Sequence, residues 1–124
     1  LGAEGVYVGT RFILSDECPA SDACKQDIIQ SKGKDLVFVS GTQRSTPHTF
    51  AKELARLYEA GMSTAELDEK INQIDGLRPG MLEGRLDEGI VSVNTAIDLI
   101  KDVKSCEGIV KELMADFIDW CLSE

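Results

Sequence analysis

Three features of the sequence predict an α/β fold with more helix than strand. A β-branched and aromatic run, Val6-Tyr7-Val8, is bounded by Gly5 and Gly9, the pattern of a short, fully buried strand. Two consecutive stretches, 46–61 and 62–76, carry start and stop signals for helices. From Ser105 onward, apolar side chains recur at helical spacing. At 124 residues the chain is long enough for one small domain with its own core.

In the first strand, Val6 and Val8 point one way and Tyr7 the other. Gly9 then lets the backbone approach something closely, and Thr10 follows with a free N–H and a hydroxyl. Bare N–H groups at such a turn can cradle an anion such as a phosphate. The residues alone are better served by a plain turn at Gly9 and a surface charge at Arg11.

The segment Leu1-Gly2-Ala3-Glu4-Gly5-Val6-Tyr7-Val8-Gly9-Thr10-Arg11-Phe12, with Ser15-Asp16-Glu17-Cys18-Pro19-Ala20-Ser21 and Lys25 after it, resembles the last barrel strand of one flavoenzyme family. That family contains the nitronate monooxygenases (formerly 2-nitropropane dioxygenases) and the similar FMN-type enoyl-acyl-carrier-protein reductases. The resemblance is strong to about Lys25 and weaker beyond. It implies the C-terminal fragment of a (βα)8 TIM barrel, with the last strand followed by a mainly helical subdomain. A barrel of that type takes about 250 residues, and the chain starts at Leu1 rather than Met, so a piece of a longer protein is expected. The implied divisions are 1–30 (last strand, phosphate-binding turn and following helix), 31–104 (a helical lid with an extended crossing segment) and 105–124 (a C-terminal amphipathic helix). By resemblance, Gly9 and Thr10 contact the phosphate of FMN. Arg11 belongs to the same motif, either at that anion or in an ion pair that fixes the turn.

Composition narrows the partners. The net charge of −9 argues against nucleic acid, whose phosphates demand a basic surface, and against an anionic membrane. No apolar run is long enough to span a bilayer, and the start does not read as a signal peptide. Cys18, Cys24, Cys106 and Cys121 form no Cys-x-x-Cys pair, and the one histidine, His48, stands at no zinc spacing. No metal site is expected, and reduced thiols in the cytoplasm are the economical assumption. Cys106 and Cys121 are expected as small core residues, and Cys18 as exposed.

Along the chain, Ser21 is a plausible N-cap for a short helix through Ile28 and Ile29, with Asp22 suited to the helix dipole. Lys32-Gly33-Lys34 ends it. Residues 35–41 are a second extended segment, either buried on both faces or crossing with no sheet partner in this chain. Thr46-Pro47 opens a helix with proline at its first position, and Phe50, Leu54, Leu57 and Tyr58 share one face. His48 falls in its first turn, where no carboxylate or nucleophile is obviously placed with it. Gly61 closes that helix. Ser63 and Glu66 then form a capping box, with Met62 stapling onto Leu67. Gly76 stops this second helix, and Pro79-Gly80 turns the chain.

Residues 84–100 resemble the family's second landmark, a glycine-rich turn into a helix near the flavin. The family usually has Gly-Gln where this chain has Asn94-Thr95, and a small residue or glycine at Asp98. The residues also fit a loop and an amphipathic helix, with Ile90, Val93, Ile97 and Ile100 on a core. In the last helix Ile109, Val110, Leu113, Met114, Phe117, Trp120 and Cys121 make a wide apolar face, expected as core, in which Trp120 needs a partner for its N–H.

The resemblance implies an FMN-dependent oxidoreductase acting on a small molecule, closer to a nitronate monooxygenase than to an enoyl reductase. The catalytic base would lie upstream, so the isolated chain is expected to have negligible turnover. The other reading is a non-catalytic helical interaction module. Under either, apolar surface left by missing strands favours association with the upstream part of the barrel or a homo-oligomer.

Overall fold

The computed structural model describes residues 2–123. Helices dominate: α1 (Thr10–Ile13), α2 (Asp22–Gln30), α3 (Thr49–Glu59), α4 (Thr64–Gln73) and α5 (Cys106–Ser123). A hairpin of β1 (Val37–Phe38) and β2 (Arg44–Ser45) pairs antiparallel, Val37 opposite Ser45 and Phe38 opposite Arg44. Single 3-10 turns occupy Gly33–Asp35, Leu86–Glu88 and Thr95–Leu99, and a π-helical turn occupies Arg78–Leu82.

The serine caps of α2 and α4 and the stop at Gly61 stand where the sequence places them. Ser21 Oγ accepts from Cys24 N–H at 3.1 Å and caps α2. Ser63 Oγ accepts from Glu66 N–H at 3.2 Å and caps α4. Between α3 and α4 the chain reverses through Gly61 at φ +100°, a left-handed conformation that favours glycine. The start of α3 is corrected: it begins at Thr49, with His48 as its cap and Pro47 outside. The capping oxygen comes instead from Asp87, whose Oδ1 accepts from Thr49 N–H at 3.2 Å and Thr49 Oγ1 at 2.8 Å.

Two cores organise the chain. One gathers Leu14, Ala20, Cys24, Ile28, Met81, Val91, Val93, Ile97 and Ile100, so packing runs across the 30/31 division. The other gathers Val39, Ala51, Leu54, Leu67, Ile71 and Ile90, with Met62 against its edge. The segment 90–93 runs between them as extended chain. Its backbone is satisfied across the hairpin: Val91 N–H donates to Ser45 Oγ at 2.9 Å, Thr46 N–H to the Val91 carbonyl at 3.3 Å, and Val93 N–H to the Arg44 carbonyl at 3.3 Å. This passage lies hard against the π-helical turn. A Cβ on Gly80 would collide with the Ile90 carbonyl oxygen, and one on Gly89 would stand 2.7 Å from the Gly80 nitrogen.

Four other expectations change. Residues 5–9 form no strand; Val6 is 80% exposed and Tyr7 fully exposed, because among the described residues no other strand pairs with them. The second extended segment shortens to two residues and finds a partner in β2, and only Val39 and Ser40, just beyond the strand, are fully buried. Residues 90–100 supply the expected core side chains, but through extended chain and one 3-10 turn rather than an amphipathic helix. Helix α5 forms as expected yet fully buries only Ile109; Leu113, Phe117 and Trp120 are exposed, so the Trp120 N–H has water within reach. Accordingly Cys121 is exposed and Cys106 half-buried rather than core, and Cys18 is half-buried rather than exposed. Among the described residues no helix is long and apolar enough to cross a membrane.

Substituting Gly80→Ala should cost about 2–4 kcal/mol, since backbone rather than a flexible side chain must yield. Gly5→Ala, with open space around its Cβ, should stay within about 0.5 kcal/mol of the parent. Urea midpoints at constant slope measure both. A second outcome concerns the thiols. Burial, with the nearby Asp27 charge, pushes Cys24 up to about 12, so it stays a neutral thiol throughout the mildly alkaline range. Alkylation of the native protein at pH near 8, followed by peptide mass mapping, should mark Cys121 promptly and Cys24 only after unfolding.

Candidate functional site

A cleft of about 340 Å³ opens between three parts of the chain that are distant in sequence. One wall is Tyr7 to Arg11, the second comes from Asn94 to Ile100, and the third is the first half of α5, with Ile109, Glu112 and Leu113. The two segments singled out by the family resemblance therefore face the same space.

Gly9 stands at the head of α1, and no side chain caps that turn. The N–H groups of Thr10 and Arg11 have no intrahelical acceptor, as at any helix start. Gly9 has φ −115°, open to any residue, and a Cβ there would meet no atom within 4 Å. Among the described residues nothing demands glycine at this position, in contrast to Gly80 and Gly89. Thr10 is half-buried and lines the cleft beside it.

Arg11 points its head group toward the other end of α1. Nη1 donates to the Asp102 carbonyl at 2.9 Å and, more weakly, to the Leu14 carbonyl at 3.5 Å. Nη2 donates to Asp102 Oδ1 at 3.0 Å. Glu112 Oε2 lies 3.9 Å from Nη2 and 2.8 Å from Lys104 Nζ. Of the two roles left open for Arg11, the ion pair is the one formed.

The loop after α1 is tied to the start of α5. Ser15 pairs in parallel with Lys104, with Asp16 N–H on the Lys104 carbonyl at 2.9 Å. Lys25 is buried beneath the loop and donates to the Ser15 carbonyl at 2.7 Å. Glu17 Oε2 accepts from Cys106 N–H at 2.7 Å. The Cys106 thiol, then this N–H, hold the Glu17 carboxyl below its usual range, and the Cys106 thiol is raised in turn. Ser105 Oγ caps α5 locally, accepting from Gly108 N–H at 3.1 Å, and Glu17 adds a second acceptor at the helix start from 89 residues away.

His48 does have a carboxylate. Its Nε2 lies 2.7 Å from Asp27 Oδ1 on α2, and Nδ1 lies 3.9 Å from Asp87 Oδ1. The earlier expectation of no positioned partner is corrected; the partners come from α2 and the turn 86–88, beyond the reach of local spacing. The triad lies outside the cleft and joins α2 to the start of α3. The departures at Asn94 and Asp98 also have structural work. Asn94 Oδ1 accepts from Ala96 N–H at 3.0 Å, capping the 95–99 turn. Asp98 Oδ1 accepts from Gly33 N–H at 2.8 Å. The contributions of Asp102, Glu112 and Glu17 were not visible in local sequence, because each acts on a partner far away along the chain. Among the described residues, no group of three or more His, Cys, Asp or Glu side chains is arranged to hold a metal ion.

Fold and cleft together define a helix-rich α/β unit built around a turn of the Gly-Thr-Arg-Phe type. The nitronate monooxygenase family model matches residues 1–116, and the chain belongs to that family. Among solved structures, FabK from Thermotoga maritima is similar over 98% of this chain, with a TM-score of 0.78 and 24% identity. A single-residue variant of the same protein is similar over 98% of this chain, with a TM-score of 0.72 and 24% identity. The chain spans 39% and 36% of the lengths of those two structures.

The Glu17 cap gives a pH dependence with a defined sign. A carboxyl lowered in the folded state contributes stability above its unfolded value, and that contribution is lost as pH falls through the folded one. Thermal midpoints followed from neutral to acid pH should therefore fall less steeply in Glu17→Gln than in the parent, and the two should converge at the acid end.

Proposed function

We propose that the chain forms the C-terminal, cofactor-phosphate end of an FMN-dependent oxidoreductase of the nitronate monooxygenase type. The observation that carries this reading is the shared cleft: the turn Gly9-Thr10-Arg11 and the segment 94–100, the two landmarks of the family resemblance, line one space.

The residues fit the phosphate of FMN. Two N–H groups without intrahelical acceptors and the Thr10 hydroxyl make a donor set for an anion. Gly9, where no internal contact requires a missing Cβ, leaves room for a ligand group to approach the backbone. Bound FMN would supply the electron-transfer chemistry. Gly9 and Thr10 would hold its phosphate, while Leu99, Ile100 and Leu113 would exclude water from the cleft beside it. On this reading the exposed edge at Val6 and Tyr7 is covered by the preceding part of a (βα)8 barrel, where phosphates are commonly held after the last two strands. The remaining barrel would bring the substrate wall and the catalytic base. Small molecules are the substrates, and a reducing, cytoplasmic setting is supported by four unpaired cysteines.

The preferred substrate is an alkyl nitronate, oxidised with dioxygen, supported by the family match and by the Glu17-Cys18-Pro19-Ala20-Ser21 stretch. A second reading is an NAD(P)H-dependent enoyl-acyl-carrier-protein reductase, favoured by the likeness to FabK, an FMN-type enoyl reductase.

Gly9→Leu in the full-length protein should abolish stoichiometric FMN binding, read from the visible flavin bands of the purified protein. Retention of FMN at parental occupancy would remove Gly9 and Thr10 from the site. With the parent, nitronate-dependent oxygen uptake without NAD(P)H supports the first substrate class; enoyl-thioester-dependent NAD(P)H oxidation supports the second.

A further inference from the structure

We infer that Arg11 and Asp102 form a positioning pair that sets the phosphate turn against α5, and that Arg11 is not itself a ligand of the phosphate. The inference rests on the reading of Gly9-Thr10 as the FMN phosphate turn. An arginine beside an anion turn would ordinarily be taken as the anion's counter-charge. Here the geometry points the other way.

The free N–H groups lie at the amino end of α1. The guanidinium lies at the carboxyl end, bonded to the Asp102 carbonyl and carboxylate, with the Leu14 carbonyl at 3.5 Å. A cation there complements the negative end of the helix dipole. The Arg11 side chain is only 12% exposed, so swinging its head group to the amino end of α1 would break these bonds and leave carbonyls unpaired. Its charge faces Asp102 at 3.0 Å and Glu112 at 3.9 Å, two carboxylates that it shares with Lys104.

Asp102 is suited to the task because of where it sits. It stands two residues before Lys104, which pairs with Ser15 and holds Glu112 of α5 at 2.8 Å. One short segment therefore touches the turn, the following loop and the helix that walls the cleft. Asp102 binds Arg11 through both carbonyl and carboxylate, a forked arrangement that fixes direction as well as distance.

The test is a double-mutant cycle in the full-length protein. FMN affinity is measured by flavin fluorescence for the parent, Arg11→Met, Asp102→Ala and the double variant, with riboflavin as the probe that lacks the phosphate. Each single variant should weaken FMN about five- to tenfold, the size of one exposed charge-assisted contact. The double variant should be no weaker than the worse single one, and riboflavin affinity should not move. Should Arg11→Met fail to give folded protein by circular dichroism, Arg11→Lys serves in its place. It keeps the charge and loses the fork, so weakened binding supports the inference and parental binding overturns it. Tighter or unchanged FMN binding in Asp102→Ala, beside weaker binding in the Arg11 variant, overturns it as well and makes Arg11 a ligand. Thr10→Val separates the two levels. If Thr10→Val weakens FMN and Asp102→Ala does not, only the positioning role fails. If Thr10→Val and Gly9→Leu both leave FMN affinity unchanged, the phosphate turn fails and this inference with it.

Discussion

The extended passage 90–93 is the constraint on which the remainder of the structure depends. Side chains alternate along extended chain, and here the alternation serves two interiors at once. Ile90 packs with Leu54 and Leu67 on one side, and Val91 and Val93 pack with Leu14, Ile28 and Ile97. A buried strip of backbone must have its polar groups satisfied, and Ser45, Thr46 and Arg44 accept or donate the necessary bonds. The passage also needs room, which Gly80 and Gly89 provide by having no side chain where two backbones cross. A shift of one residue would exchange the faces and send Ile90 and Val91 to the wrong cores. The bond from His48 to Asp27 is a second tie, between α2 and the start of α3.

Where signals are local, the sequence was legible. The caps at Ser21 and Ser63 and the reversal at Gly61 each depend on residues within a turn of one another, and each stands where it was read, although of the Ser63–Glu66 box only the serine's half is formed among the described residues. The middle was harder. Ile90, Val93, Ile97 and Ile100 satisfy a helical period, but Val91 is fully buried too, and that residue fits an extended passage better. The period of the larger side chains masked the alternation. Pro47 misled in a similar way, because the oxygen that caps α3 is supplied by Asp87 across space, which moves the helix start past the proline.

The candidate site was legible only in part. Gly9, Thr10 and Arg11 were found through a contiguous motif, and the segment near Asn94 through a weaker one. Their meeting in one cleft, and the tether from Arg11 to Asp102, depend on separations of more than eighty residues that spacing does not encode. The expectation of burial failed at both ends of the chain. The apolar runs at residues 6–8 and on α5 carry the signature of interior surface, yet here they face water. A hydrophobic pattern records that a face is meant to be covered and is silent about what covers it.

The single tryptophan of these 124 residues sits on that exposed helix, 59% exposed, with the Phe117 ring centroid 6.2 Å away. Neither core contains an indole. Intrinsic fluorescence excited at the red edge of protein absorption therefore works as a one-site spectroscopic reporter. Its colour follows the wetting of α5 and is nearly blind to the interior, so a blue shift marks whatever comes to lie over that helix.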